Sequence, residues 1–224
     1  MNVIDIFFNW SVLLRAFPIL IRGLGNTLML GITAIIVGSA AGVLVCLMRL
    51  YAPRALRVLA ILYIDLMRAM PMLVVLILIY YALPFVGITF SSFQAAAVAL
   101  SMVMAAYTAE IVRAGVEAVP RGQFEASASL GLPFWRTMHK VVLPQAIRLV
   151  IPPLASSSVS LIKDTSLASV VAMNDLLKQA TDAQALFANP TPLIGAAIIY
   201  VAILWPLVRL TGRLERRYAR KGQH

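Results

Sequence analysis

Charge is scarce in this sequence, and what there is has one dominant sign. Asp, Glu, Lys and Arg make up 12% of 224 residues, against about 25% in an ordinary soluble domain. Nine are acidic and 19 basic, for a net charge of +10. The lone cysteine, Cys46, excludes an intramolecular disulfide and reads as a small hydrophobe inside an apolar run. The two histidines, His139 and His224, stand isolated, so no Cys/His metal cluster is encoded. No Gly-x-x-x-x-Gly-Lys-Ser/Thr segment occurs, which argues against ATP hydrolysis by this chain. Ser156, Ser157, Ser158 and Ser160 have no histidine base nearby, leaving acyl-transfer catalysis unsupported. The opening Met1-Asn2-Val3-Ile4-Asp5 lacks the basic region of a cleaved secretory signal.

What is abundant is apolar surface, at 61% of residues. The apolar runs are continuous rather than alternating, which favours spanning helices over a β-barrel. The expected fold class is all-α integral membrane, with about five spans. These run over about 25–48, 56–83, 93–114, 144–170 and 192–214. Residues 1–24 carry Asp5, Asn9, Arg15, Pro18 and Arg22, and read as an interfacial helix lying on the membrane. Gly38-Ser39-Ala40-Ala41-Gly42 gives the first span a small-xxx-small face for close helix approach. Residues 115–143 are polar, too long for a simple turn, and read as two short surface helices broken at Gly131-Leu132-Pro133. Residues 215–224 form a basic tail that reads as a topology anchor for anionic lipid.

Lys and Arg placement orients the chain. Arg49, Arg54 and Arg57, the 115–143 loop with its neighbours, and the tail hold most of the basic residues. The other side holds only Arg15, Arg22 and Lys178. The excess therefore reads as span flanks rather than a nucleic-acid surface. The bias places the N-terminus outside, the 115–143 loop and C-terminus in the cytoplasm, and the 172–191 loop outside.

The loop carries a spaced motif. Glu125-Ala126-Ser127-Ala128-Ser129-Leu130-Gly131 is followed, after nine residues, by Val141-Val142-Leu143-Pro144. Small residues at 126–129 suit a helix that seats in a partner's groove. Gly131 permits a turn that a β-carbon would hinder, and Pro144 fits the first turn of the next span. The pattern resembles the EAA motif of ABC-importer permeases, with Ser127 and Val141 as mild departures. Ala106-Tyr107-Thr108-Ala109-Glu110-Ile111-Val112-Arg113-Ala114-Gly115, Val119-Pro120-Arg121-Gly122-Gln123 and Lys163-Asp164-Thr165-Ser166-Leu167 resemble the polar amino-acid branch (His/Glu/Gln/Arg/opine). Arg68-Ala69-Met70-Pro71 is similar to that branch's Arg-Gly-Thr-Pro element, with Ala-Met in place of Gly-Thr.

The resemblance implies a type I ABC-importer permease in the bacterial inner membrane. Its partners would be an ABC ATPase dimer, a second permease subunit (identical or paralogous), and a periplasmic substrate-binding protein. ATP and Mg would reside on the ATPase, with no cofactor on this chain. Glu125, Ala126, Gly131 and Pro144 would serve ATPase coupling. Segment 175–191 would help dock the binding protein. An ion-coupled secondary transporter would show internal repeats and more spans.

Asp65, Arg68, Glu110, Lys163 and Asp164 fall inside spans, where a lone charge costs about 2.5–3.5 kcal/mol. They must pair, reach water or line a cavity. Asp65 and Arg68, three residues apart on one helix face, either satisfy each other or join such a cavity. For an amino-acid cargo, Arg68 would clamp the carboxylate, with Lys163 as a second cation. Glu110 and Asp164 would accept the ammonium. Three acids against two bases favour neutral or cationic cargo.

Overall fold

A computed structural model describes residues 6–221, with the side chains of 219–221 outside the description. The Met1–Asp5 opening, His224, and the tail side chains Arg220 and Lys221 lie outside the described residues. Among the described residues, four helices are long and apolar enough to cross a membrane, and a bent pair supplies a fifth crossing if counted as one.

Helix α1 runs unbroken over Trp10–Tyr51. The interfacial helix expected over 1–24 and the span expected from 25 are continuous from Trp10 onward, with no break between them. Asn9 caps its start, accepting from the Val12 N–H at 3.2 Å. Pro18 lies inside the helix without ending it, as spanning helices tolerate where packing holds them. Ala16, Leu20 and Gly23 are buried, and Leu20 clusters with Leu176, Ala180 and Ala196 of later helices. That packing holds the segment in the bundle. At 42 residues, α1 is about 63 Å long at about 1.5 Å per residue, twice a hydrocarbon core of about 30 Å.

The second expected span, 56–83, is broken. Helix α2 (Arg54–Ala69) and helix α3 (Met72–Ile77, extended by a π turn to Ala82 and a 3-10 turn to Val86) meet at a bend of 108°. Pro71 causes it. A proline disfavours the helical region for its predecessor, and Met70 is extended at φ −82°, ψ 137°.

Helix α4 (Ser92–Glu117) is the hub, packing against α1, α2 and α3. Ser91 and Gln94 form a capping box at its start. Its buried face is mostly alanine, including Ala95, Ala96, Ala99 and Ala106, so neighbouring backbones approach closely. The polar loop folds into helix α5 (Arg121–Ser129) and helix α6 (Phe134–Thr137), as expected. A π turn over Met138–Val142 joins α6 to helix α7 (Leu143–Asp164), which continues as a 3-10 segment to Val171. Both π turns end just before a proline. Leu83 and Leu143 donate their N–H five residues back, to Leu78 and Met138, ahead of Pro84 and Pro144, which have no N–H to give.

Segment 172–191, expected as a loop, contains helix α8 (Leu176–Phe187). Helix α9 (Thr191–Lys221) closes the chain. Helix α8 starts on Asp175, which is fully buried and whose Oδ1 accepts from the Lys178 N–H at 2.9 Å. Its Oδ2 has no hydrogen-bond partner among the described residues. Burial pushes its carboxyl up to about 6 against the relief of the backbone donors. The folded state therefore holds this proton more tightly than the unfolded chain. The penalty is absent below the ordinary carboxylate range, grows as pH rises from there to about 6, and is complete above it. Its full size is about 2–3 kcal/mol. Asp175→Asn keeps the capping acceptor and removes the charge. The variant should melt several degrees higher than wild type at pH 8 and close to it at pH 4, as read by thermal unfolding of the detergent-purified complex.

Candidate functional site

Two clusters of polar groups lie around α4. The first is a knot at its α5 end. Glu110 accepts from Arg49 Nη1 of α1 at 2.9 Å and from Arg113 at 2.5 Å (Nη2) and 3.2 Å (Nε). Arg68 of α2 stands farther off, at 3.9 Å. Arg113 also pairs with Glu117. One carboxylate thus ties three helices, which offsets the cost of charge at that depth. Arg68 is its loosest member: its side chain is 41% exposed, against 21% for Arg49 and Glu110. The Arg68 guanidinium lies 6.0 Å from the Tyr107 ring centroid, the outer range for a cation–π contact.

The second cluster is a cavity of about 300 Å³ between α4 and α7, at the small end of ligand pockets. Val103, Met104 and Tyr107 wall it from α4; Ser156, Ser157, Ser160, Leu161 and Asp164 wall it from α7. Ser156, Ser160 and Asp164 follow at four-residue spacing, so they stack along one helix face. The cavity therefore offers one carboxylate, three hydroxyls and an aromatic wall.

The expected site residues part company here. Asp164 lines the cavity, and Arg68 reaches its Tyr107 wall from outside. Glu110, expected to accept an ammonium, is held by Arg49 and Arg113. Lys163 is exposed and does not line the cavity. The Asp65–Arg68 pair does not form: among the described residues Asp65 makes no ion pair, and Arg68 turns to Glu110 instead. Sequence reasoning missed Arg49, counted only as a topology charge, and the serines, which it weighed only as nucleophiles.

The 115–143 segment is anchored by Val119, Met138, Val142 and Ala146, which bury a small core beneath it. Ser127 turns inward, its hydroxyl donating to the Gln123 carbonyl at 2.7 Å. Glu125, Ala126 and Ala128 face out, beside exposed Leu130, Phe134 and Trp135. Gly131 ends α5 at φ +70°. Its N–H donates to the Ala128 carbonyl at 2.9 Å and that of Leu132 to the Ser127 carbonyl at 3.0 Å, the pair of bonds that defines a Schellman cap. Pro144 sits in the first turn of α7.

The described residues thus combine apolar helices of membrane-crossing length, one broken span and a short helix with an exposed apolar patch on its flank. Residues 34–220 match the family described as binding-protein-dependent transport system inner membrane component. The chain belongs to that family and is a multi-pass inner-membrane protein. It is 39% identical to the probable amino-acid ABC transporter permease protein YckA of Bacillus subtilis (strain 168), over 95% of this chain and 94% of that one. It is 37% identical to the L-cystine transport system permease protein TcyB of the same organism, over 94% and 92%. A solved structure, an amino acid ABC transporter with histidines, superposes with a TM-score of 0.87 at 34% identity, over 92% of this chain and 96% of that one. The inward-facing MetNI methionine ABC transporter shares the fold, with a TM-score of 0.70 at 22% identity. The architecture is that of the type I ABC-importer permeases.

Proposed function

We propose that this chain forms one half of the translocation path of an ATP-driven importer of polar amino acids. The α5 end lies in the cytoplasm and the α8 end outside, as the distribution of Lys and Arg supports. A second permease subunit completes the path. Exposed Asp65 and Lys163 support this, since lone charges facing lipid at membrane depth are costly. An ABC ATPase dimer, carrying ATP and Mg²⁺, docks on α5 through the Glu125–Gly131 face and the apolar patch beside it. A periplasmic binding protein delivers the amino acid at the α8 end, with 175–191 as part of its docking surface.

The cavity is the observation that carries the cargo assignment. Asp164 takes the α-ammonium, the serine hydroxyls offer hydrogen bonds to the cargo's polar groups, and Tyr107 forms a wall for the side chain. Arg68, held loosely by Glu110, is free to exchange that partner for the cargo's carboxylate. Lys163 faces the shared path as a second cation. Glu110 acts by holding Arg68 in place. No acidic cargo is favoured, because Asp164 is the only carboxylate among the cavity-lining residues, which include no cationic side chain.

Asp164→Asn tests this. With the importer reconstituted in liposomes and its loaded binding protein in excess, uptake should fall about tenfold or more, the scale of one lost charge-assisted hydrogen bond. Co-purification with the ATPase should be unchanged. Wild-type uptake by the variant would remove the cavity from the path.

A further inference from the structure

The C-terminal tail contains one acid, Glu215, between Arg213 and the pair Arg216–Arg217. A tail serving only as a lipid anchor has no use for it, since a carboxylate is repelled by anionic headgroups. Among the described residues Glu215 makes no ion pair with those arginines. It reaches α7 instead, where its Oε1 accepts from the Ser156 hydroxyl at 2.7 Å. Ser156 is a cavity wall residue. The tail helix thereby brings a second carboxylate to the foot of the same cavity.

The arrangement along α7 is directional. Asp164 stands at one end of the stripe, Ser160 one turn below, and Ser156 a turn below that, carrying Glu215. The stripe is about 12 Å long at about 1.5 Å per residue. A cationic group leaving Asp164 thus meets hydroxyls at each turn and a fresh carboxylate at the end nearer α5. Hydroxyls both accept and donate, so they can solvate an ammonium in transit without trapping it.

We infer that Glu215 is the cytoplasmic-side carboxylate of the translocation path, receiving the cargo's ammonium from Asp164 by way of Ser160 and Ser156 before release. This rests on the reading of the cavity given above. The alternative role is a plain latch between α7 and α9. The two roles separate by chemistry. Glu215→Gln keeps an oxygen to accept from Ser156 but loses the charge. Ser156→Ala loses the hydrogen bond but keeps the charge.

The test uses the complete importer in liposomes, with radiolabelled arginine, histidine, glutamine and glutamate each offered on saturating binding protein. Amino acid transported per ATP hydrolysed is the readout. For every amino acid the wild type takes up, E215Q should lower that ratio about tenfold. E215D should recover most of it, and S156A should lose less, about threefold. A ratio for E215Q within twofold of wild type overturns the inference. So does a larger loss in S156A than in E215Q, or failure of E215Q to assemble, since both assign the contact to structure. Asp164→Asn, run alongside, separates the two readings. If D164N is silent, the cavity reading itself fails. If D164N is impaired while E215Q is not, only the role of Glu215 falls.

Discussion

Importer carrying Gly42→Val is expected to be nearly unrecoverable as an assembled complex. Gly38 and Gly42 are buried on the face of α1 that meets α4. A β-carbon at 42 would lie 2.6 Å from the Ala105 carbonyl oxygen and 2.6 Å from Thr108 Cβ. One at 38 would lie 2.6 Å from Met104 Cβ and 2.8 Å from the Ser101 carbonyl oxygen. Backbone and β-carbons cannot swing aside as the end of a long side chain does, so the helices must separate. Overpacking costs about 1–3 kcal/mol where neighbours adjust, and more where they do not. Separation would also pull Arg49 from Glu110, leaving charges uncompensated in the membrane. Gly25→Val is the control, because a β-carbon there meets nothing within 4 Å. Size-exclusion chromatography of detergent extracts reads the outcome: a near-complete loss of the complex peak for G42V and little change for G25V. Equal recovery of the two would show that α1 does not lie on α4 this closely.

That contact shows how far the sequence could be read. The small-residue run at 38–42 was visible, but such runs are common, and only the opposing Ala105 and Thr108 give this one its meaning. Spans over 93–114 and 192–214 anticipate α4 and α9, because apolar length is a local feature. The start of α1 was not visible. Arg15, Pro18 and Arg22 read locally as interruptions, while the packing of Leu20 on Leu176 and Ala196 that overrides them is distant in the chain. Pro71 lay inside the expected 56–83 span, yet a count of apolar residues hid the 108° bend it makes. Glu110 stood out as a charge in a span, but its partner Arg49 is 61 residues away. Glu215 was passed over within a basic tail; its contact with Ser156 depends on how α9 leans on α7.

Gly131→Val should uncouple the machine rather than unfold it. No atom lies within 4 Å of a β-carbon built at Gly131, so a side chain meets no steric obstacle in this chain. The difficulty is the backbone, held at φ +70° by the cap that turns α5 toward α6. An L-residue in the left-handed region costs roughly 1–2 kcal/mol, with a β-branched side chain at the upper end. Val therefore shifts the cap toward an open form, and α5 loses its fixed angle to the α7 stem. The membrane helices gain no clash, so the complex should still assemble and the ATPase should keep its basal rate. ATP-driven uptake should fall about tenfold, the equivalent of about 1.4 kcal/mol. Gly131→Asn should retain most uptake, because asparagine tolerates the left-handed region at a helix end, and Gly131→Ala should fall between them. Uptake and ATP hydrolysis measured in the same liposomes give the order. Wild-type coupling in all three variants would release Gly131 from force transmission. A loss in the Asn variant as deep as in Val would instead mean that the ATPase packs directly on Gly131 and requires the absence of any side chain there.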